Sequence, residues 1–371
     1  MINYTENINK DLNKYIKNKN YSKTLVLVDE NTENYCLGLL DLKFKYQIIK
    51  ITSGENNKNI NTVSHIWEKL LNNNADRASL LINLGGGVIS DMGGFAASTY
   101  KRGIEFINIP TTLLAMVDAT IGGKTGFNFQ NKKNMIGLFS TPKAIFIDVN
   151  FIKTLTKREY LNGIAEVLKH GLLFDMEYFN EVITFGTLPT PSKQSILLTH
   201  PSIFASQGGE LLNIIKKSIS MKKKIVEEDF EENGLRKILN LGHTIGHAFE
   251  SHFINDKNID LKHGEAVIIG LIAMLKLSVK KLGFDISLQK SITNDLKKIY
   301  SLDIYSNYKK SDIIKYLIDD KKNKNGDILM VLLEDINKPV YDVTVSIEEI
   351  EGVLTQPGGL TQQGVATPCV Y

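Results

Sequence analysis

Cysteine is nearly absent from this sequence, which has 2 in 371 residues. Cys36 and Cys369 lie at opposite ends of the chain, so neither a disulfide framework nor a thiolate metal site is predicted. No apolar run approaches the roughly 20 residues needed to cross a bilayer. The first fifteen residues resemble neither a signal peptide nor a transit peptide. These absences predict a cytoplasmic protein in a reducing compartment, without a membrane partner.

An excess of charge of one sign is missing too. The chain has 44 Lys and Arg against 41 Asp and Glu, for a net charge of +3, and the lysines are spread along it. No nucleic-acid partner is therefore predicted. A hydrophobic content of 43% is typical of a globular protein. Because the chain is longer than one hydrophobic core usually organises, two domains are expected.

Short apolar runs, the first two of them β-branched, alternate with helical spacing in the first part of the chain. Strands are predicted at 24–29, 46–51, 79–84, 106–110 and 144–148. A helix is predicted at 59–73. This alternation predicts an α/β domain over residues 1–155, with a doubly wound and mostly parallel sheet of the dinucleotide-binding kind.

Helical periodicity dominates the remainder. Helices are predicted at 160–174, 211–228, 243–252 and 263–282. They predict a mainly α-helical second domain over residues 156–371. Two stretches lack periodicity: 184–209 is predicted to be an irregular insertion, and 356–371 a disordered tail.

Glycines follow the predicted strand that ends at Leu84. The segment leads into an Ala-rich helix and reads Gly85-Gly86-Gly87-Val88-Ile89-Ser90-Asp91-Met92-Gly93-Gly94. Glycines there let backbone N–H groups and the positive end of a helix reach a pyrophosphate. The spacing differs from G-x-G-x-x-G, so a tight structural turn is an alternative. Asp29, Thr111 and Thr112, at the ends of other strands, favour dinucleotide binding.

Histidines cluster in the predicted second domain. His243 and His247 lie one helical turn apart, and His263 opens the next predicted helix. The residue after His243 is threonine rather than glutamate, which disfavours a zinc peptidase. Glu166, with Lys169 one turn later on an otherwise apolar helix, is the carboxylate candidate. Two histidines and a carboxylate predict a catalytic Zn²⁺ site, although each residue taken singly is also explained by helix packing.

Cations in glycine-bearing segments suggest recognition of a phosphate. Lys124 follows Gly122-Gly123, and Lys133 and Asn134 precede Gly137, in segments predicted to be loops. Further polar candidates come shortly before the histidines in the chain: Lys222, Arg236 and Asn240.

Several of these segments together closely resemble the 3-dehydroquinate synthase family. The similarity runs in family order from about Asp29 to about Leu333 and is carried by 85–91, 110–114, 118–126, 163–166 and 242–248. The resemblance implies an N-terminal NAD-binding domain, a helical metal-binding domain and usually a homodimer. By motif match it implies that Zn²⁺ or Co²⁺ is held by Glu166, His243 and His263.

The resemblance also implies two sets of ligand-binding residues. The NAD set is Glu55, Lys58, Gly86, Gly87, Val88, Asp91, Thr111, Thr112, Lys124, Lys133 and Thr154. The substrate set is Asp118, Lys124, Asn134, Lys169, Lys222, Arg236, Asn240, His247 and Lys321. Arg102 matches a position that reaches the substrate phosphate across the dimer interface.

The activity implied by the resemblance is that of a carbon–oxygen lyase of the shikimate pathway. The implied substrate is 3-deoxy-D-arabino-heptulosonate 7-phosphate, and the products are 3-dehydroquinate and phosphate. Two related enzymes are alternatives: a sugar phosphate cyclase such as 2-deoxy-scyllo-inosose synthase, and a metal-dependent polyol dehydrogenase of the glycerol dehydrogenase type. Lys222 and Arg236 suit a substrate carboxylate and favour dehydroquinate synthase over the other cyclase. A non-enzymatic binding module is a further alternative, and it would be expected to have lost the metal-ligand residues. All three candidates are present, which disfavours that alternative.

Overall fold

The computed structural model describes residues 1–130, 132–187, 201–253, 259–302, 308–318 and 328–354, without the side chains of 186–187 and 201–208. Contacts divide it into two compact units. The first is Met1–Leu239 with Ile336–Lys338, and the second is Asn240–Asp335 with Pro339–Tyr371. The domain boundary predicted between residues 155 and 156 lies inside the first unit and stays a prediction. The predicted tail at 356–371 lies outside the described residues.

The described chain forms ten strands and twelve α-helices. The strands are β1 (Ile2–Tyr4), β2 (Thr24–Asp29), β3 (Gln47–Ile51), β4 (Leu80–Gly85), β5 (Glu105–Pro110), β6 (Lys124–Phe129), β7 (Lys132–Phe139), β8 (Ala144–Ile147), β9 (Ile328–Asp335) and β10 (Lys338–Val345). The helices are α1 (Ile8–Lys17), α2 (Glu30–Tyr35), α3 (Ile60–Asn72), α4 (Gly87–Thr99), α5 (Lys157–Phe174), α6 (Met176–Thr187), α7 (Pro201–Glu228), α8 (His243–Phe253), α9 (His263–Leu282), α10 (Ile286–Ile299), α11 (Lys310–Ile318) and α12 (Ile347–Val353). None of the described helices is both long and apolar enough to span a bilayer.

A six-stranded parallel sheet organises the first unit. Its order is β1-β8-β5-β4-β2-β3, and every neighbouring pair runs parallel. All residues of β4, and all of β2 but its last, are buried, which is why these strands read as continuous apolar runs. The predicted parallel α/β sheet is confirmed.

The strand order reverses beside β2. The chain passes from β2 to β3 on one side and then crosses to β4, β5 and β8 on the other. Open α/β sheets bind ligands at the carboxyl ends of the strands where such a reversal occurs. Asp29 ends β2, and the glycine turn at 85–87 ends β4. The topology therefore brings two of the predicted cofactor-binding elements to the same edge of the sheet.

The two segments predicted to be loops around Lys124 and Lys133 are strands, so that prediction was wrong. β6 and β7 pair antiparallel, and Gly126 stands opposite Gly137 in their register. A Cβ on Gly126 would collide with the carbonyl oxygen of Ile136. The glycines that suggested loops therefore allow close pairing of the two strands.

Part of the predicted insertion at 184–209 is helical. α6 continues to Thr187, and α7 begins at Pro201 and runs for 28 residues, while 188–200 lies outside the described residues. Proline is favoured in the first turn of a helix. Residues 211–228 show the strong helical spacing, and the stretch before them contains Ser and Gly. Extending an existing helix costs far less free energy than nucleating a new one, so the helix extends back through this stretch to Pro201.

The second unit is built on α8 and α9, as the helical spacing predicted, with α10, α11, α12 and the strand pair β9 and β10 around them. Gly246 and Gly270 lie where α8 and α9 meet. A Cβ on Gly246 would come within 2.9 Å of the Ala266 carbonyl oxygen, and one on Gly270 would collide with that of Gly242. Glycine at these positions therefore sets how closely the two histidine-bearing helices approach.

This packing predicts that Gly270→Ala lowers the free energy of unfolding by about 1–3 kcal/mol, because the added methyl group overpacks the helix crossing. The matched control is Gly38→Ala, whose new Cβ meets nothing within 4 Å; its effect should stay within about 0.5 kcal/mol. Thermal unfolding of both variants measures the difference. A Gly270→Ala protein as stable as the wild type would contradict the close approach.

Candidate active site

The glycine turn after β4 presents the start of a helix. Gly86 is the N-cap of α4, and no described side chain caps its first turn. A Cβ on Gly86 would lie 3.1 Å from Thr112 Cγ2, so the turn packs directly against the Pro110-Thr111-Thr112 segment. Uncapped N–H groups at a helix N-terminus bind anions. The turn therefore has the donors that a pyrophosphate requires.

The carboxyl end of β2 carries Asp29. Its carboxylate accepts a hydrogen bond from Thr32 N at 2.8 Å and caps α2. Asp29 thus has a structural role that its position at the strand end did not reveal.

Thr154 contacts two neighbouring residues. It donates to the Phe151 carbonyl oxygen at 2.7 Å and lies 3.6 Å from the Cys36 thiol. Burial raises the pKa of that thiol.

Four residues of the predicted sets form one polar network. The buried Lys58 ammonium donates to Asp91 and to Asn134 Oδ1, both at 2.6 Å. Asn128 donates to Glu55 at 2.9 Å and accepts from Asn134 N at the same distance. The network fixes the lysine and both acids in place. Asn128 was missed by the sequence analysis, since nothing in its spacing marks it.

Lys124 and Arg236 are held by groups on neighbouring loops. Lys124 forms an ion pair with Glu232, which the sequence analysis did not single out. Arg236 is buried and donates to the carbonyl oxygens of Phe230 and Gly122. Gly122 has φ 107°, and a Cβ there would collide with the guanidinium. The glycine before Lys124 is thus needed to admit Arg236.

Asp118 lies in a π-helical turn, Ala115–Ala119, an element that occurs often at functional sites. Lys222 of α7 donates to its carboxylate at 2.5 Å and to its carbonyl oxygen at 2.8 Å. Burial alone would raise the pKa of Asp118, but the ammonium of Lys222 outweighs it and lowers that pKa to about 2. Asp118 is therefore ionised at neutral pH.

Glu166 and Lys169 face the same side of α5. Both are buried and form an ion pair, and Lys169 also donates to the Leu239 carbonyl oxygen at 2.7 Å. The next residue, His170, contacts Ser218 through Nδ1 at 2.6 Å. Burial, aided by Lys169, lowers the pKa of His170 to about 3, so its imidazole is neutral. The fully buried carboxylate of Glu166 suits a cation ligand.

In the second unit three imidazoles come together at the starts of two helices. His243 begins α8 and His263 begins α9. Their ring centroids are 5.3 Å apart, and the His247 ring lies 5.2 Å from the first and 6.2 Å from the second. Such a group of nitrogen donors is what a divalent metal of the zinc type prefers.

The Nδ1 atoms of two of these rings contact acceptors. His243 Nδ1 lies 3.1 Å from the Leu241 carbonyl oxygen, and His263 Nδ1 lies 3.2 Å from Glu250 Oε1. A carbonyl or carboxylate oxygen accepts, so both Nδ1 atoms donate in these contacts, and Nε2 is the nitrogen left to bind a metal. Glu250 was missed by the sequence analysis, although its spacing from His243 and His247 puts it on the same helix face.

The remaining predicted residues are placed as follows. Arg102 is exposed, in a turn where it and Lys101 have positive φ. Lys133 is half-buried on β7, Val88 is half-buried in the first turn of α4, and Asn240 ends the 3₁₀ turn Leu235–Asn240. Lys321 lies outside the described residues.

Two family models together match most of the chain. The model described as 3-dehydroquinate synthase N-terminal matches residues 48–162, and the C-terminal one matches 163–323. This chain belongs to the 3-dehydroquinate synthase family. Membership agrees with the resemblance seen in the sequence motifs, and the family models cover nearly all the predicted site residues.

Relatives in the 3-dehydroquinate synthase family span most of the chain. The 3-dehydroquinate synthase of Parabacteroides distasonis is 38% identical over 93% of this chain and 94% of its own length. That of Pyrococcus furiosus is 43% identical over 83% of this chain and 82% of its own.

Solved structures share the fold at lower identity. A 2-epi-5-epi-valiolone synthase from Streptomyces hygroscopicus, with NAD⁺ and Zn²⁺ bound, has a TM-score of 0.80, 23% identity and 95% coverage of both chains. A 2-deoxy-scyllo-inosose synthase with carbaglucose-6-phosphate, NAD⁺ and Co²⁺ has a TM-score of 0.77 at the same identity and coverage. A probable glycerol dehydrogenase from Sinorhizobium meliloti has a TM-score of 0.54 and 13% identity, and covers 95% of this chain and 94% of its own. The predicted fold class is confirmed.

The Asp118–Lys222 pair predicts a pH-dependent effect of Asp118→Asn. Because the pKa of Asp118 is lowered on folding, the pair stabilises the protein above pH 4 and this contribution is lost as the pH falls towards 2. The variant should therefore be less stable by about 2 kcal/mol at neutral pH, with the difference vanishing near pH 2. Urea unfolding at a series of pH values measures it.

The control for that experiment is Asp41→Asn, which removes an exposed ion pair with Lys43. Exposed pairs contribute little to stability, so this variant should follow the wild type throughout. An Asp118→Asn deficit that stayed constant with pH would show that ionisation of Asp118 is not its source.

Proposed function

We propose that this chain is a 3-dehydroquinate synthase, a lyase that converts 3-deoxy-D-arabino-heptulosonate 7-phosphate to 3-dehydroquinate and phosphate. The observation that carries the proposal is family membership over the whole catalytic region, with relatives of that name at 37–43% identity. The described residues add the required chemistry: buried cations for an anionic substrate, an anion-binding helix start and gathered imidazoles.

Glu166, His243 and His263 are proposed to hold a divalent metal, Zn²⁺ or Co²⁺. Three donors, two of them imidazoles whose Nε2 is left to bind a metal, match a catalytic zinc site that keeps a position for substrate. Glu166, fully buried and already paired with Lys169, supplies the anionic ligand that such a site uses. The donor set thus fits the metal found in related folds.

The NAD site is proposed at the switch point of the sheet. The uncapped start of α4 at Gly86 and Gly87 suits the pyrophosphate. The other cofactor contacts are proposed for Asp29, Glu55, Lys58, Val88, Asp91, Thr111, Thr112, Lys124, Lys133 and Thr154. When bound, NAD⁺ supplies reversible oxidation of one substrate alcohol, and the metal supplies Lewis acidity at that oxygen.

The chain's own residues bind the anions and move protons. Lys222 and Arg236 are charged donors buried near Asp118 and Gly122, and they suit the substrate carboxylate. Lys124 suits the phosphate. His247, less buried than the other two imidazoles, is proposed to carry protons for phosphate elimination.

Further substrate contacts are proposed for Asn134, Lys169, Asn240 and Lys321. With NAD⁺ bound, the order of steps implied by the family resemblance would be oxidation, phosphate elimination, reduction, ring opening and intramolecular aldol closure of the carbocycle.

A homodimer in the cytoplasm is proposed as the working form. The support is the resemblance to the family and the exposed position of Arg102, which would reach the phosphate bound by the neighbouring subunit. The boundary between the NAD-binding and helical domains is proposed at residues 155 and 156, close to where the two family models meet.

The metal-loaded protein should release one phosphate per molecule of 3-deoxy-D-arabino-heptulosonate 7-phosphate with catalytic NAD⁺, and NADH should not accumulate. The reason is that the oxidation is reversed within one turnover. Phosphate and absorbance at the NADH band are followed together.

The same assay separates the alternatives. Phosphate release only from glucose 6-phosphate would instead favour a 2-deoxy-scyllo-inosose synthase, and NADH accumulation from a polyol would favour a dehydrogenase. Inactivity on all three substrates would contradict the enzymatic proposal.

Replacing a proposed metal ligand should remove the metal and leave the fold. His243→Ala should lose bound Zn²⁺ and fall at least about 100-fold in activity, because the remaining two ligands cannot hold a catalytic ion. The matched control is His252→Ala, on the same helix but packed against Phe253 and Tyr316. Metal analysis measures the bound zinc, and circular dichroism measures whether the fold is kept. An unchanged zinc content in His243→Ala would exclude His243 as a ligand.

A further inference from the structure

We propose that Glu250 is a positioning residue for the metal centre: it orients His263 and makes that ring a stronger metal donor. The proposal rests on the proposed metal-dependent function. Glu250 is not among the metal-ligand or catalytic residues that the family resemblance implies. It is one helical turn beyond His247 on α8, with its carboxylate inside the second unit.

The contact with His263 is direct. Glu250 Oε1 lies 3.2 Å from His263 Nδ1, and its other oxygen, Oε2, lies 3.9 Å from His247 Nε2. The residue reaches across from α8 to the first residue of α9. One carboxylate therefore faces two of the three gathered imidazoles and can restrict the rotation of the ring that it bonds.

Burial makes this carboxylate costly unless it has a purpose. Glu250 is 4% exposed, and an acid in such a place requires partners that compensate its charge. Glutamine, of nearly the same shape, would avoid that cost if packing alone were needed. An acid buried beside two imidazoles points to its charge as the useful property.

The two proposed histidine ligands differ in the acceptor that their Nδ1 atom contacts. His243 Nδ1 contacts a backbone carbonyl, that of Leu241 at 3.1 Å, whereas His263 Nδ1 contacts a carboxylate. A carboxylate behind a ligating histidine raises the basicity of its metal-binding nitrogen and fixes its tautomer more strongly than a neutral acceptor does. Glu250 also carries negative charge that offsets the charge of the divalent ion.

The expected consequence is weaker metal binding when the charge is removed. Glu250→Gln keeps the shape of the side chain, and such changes typically weaken metal affinity by about 10- to 100-fold. The variant should still take up one metal ion at saturation, because all three ligands remain. Uptake of one ion at saturation distinguishes a positioning residue from a metal ligand, because replacing a ligand would abolish metal binding.

The test is titration of the metal-free full chain with Co²⁺ and Zn²⁺ against a competing chelator. Wild type, Glu250→Gln and His263→Ala are compared, and the visible spectrum of bound Co²⁺ reports the geometry of the centre. The matched control is Glu348→Gln, the same chemical change at an exposed residue in the first turn of α12. It should bind metal as the wild type does.

The expected result is a 10- to 100-fold weaker Co²⁺ affinity in Glu250→Gln, with a shifted spectrum and one ion bound at saturation. Wild-type affinity and spectrum in that variant would overturn the proposal, and so would the complete loss seen in His263→Ala. If the wild type itself bound no metal, the proposed function would have failed, which is a different outcome.

A measurement on the wild type covers the case in which Glu250→Gln does not fold. In zinc-loaded protein with ¹⁵N-labelled histidine, the nitrogen spectrum should show His263 protonated at Nδ1 and bound to metal through Nε2. Comparison of the metal-free wild type with metal-free His263→Ala assigns the His263 signals, which are then followed as zinc is added. Coordination of His263 through Nδ1 would overturn the proposal, because Glu250 could not then accept from that nitrogen.

Discussion

A charge buried away from water is stable only beside a partner, and the polar groups of both units are arranged to meet this requirement. In the first unit Lys58 is paired with Asp91, Lys222 with Asp118, and Lys169 with Glu166. Breaking such a pair leaves an uncompensated charge, which costs far more than an exposed pair contributes. Several of the residues proposed to bind the substrate and NAD therefore also hold one another in place.

Special backbone conformations bring these groups to their partners. Asp118 lies on a π-helical turn, and Gly122 adopts a positive φ that makes room for the Arg236 guanidinium. In the second unit, glycines at the crossing of α8 and α9 bring the starts of both helices together. Helical spacing alone places His243 near His247 on α8. The crossing of the two helices brings His263 of α9 close to both.

Much of the fold could be predicted because its signals are local. The strands β2, β4, β5 and β8 are short apolar runs, buried on both faces of a parallel sheet, and α8 and α9 show clear helical spacing. The hairpin of β6 and β7 was missed because its Gly, Lys and Asn residues are typical of loops. The start of α7 was missed because Pro, Ser and Gly interrupt the periodicity.

The sequence by itself determined the fold class, the order of the motifs and the types of donor at the candidate site, since these depend on residue identity and short spacing. Tertiary structure alone decided the partners: Glu232 for Lys124, Asn128 for Glu55 and Asn134, and Glu250 for His263. These pairs are separated by between 6 and 108 positions in the chain. Their contacts arise only when separate elements pack together, and no local pattern encodes that.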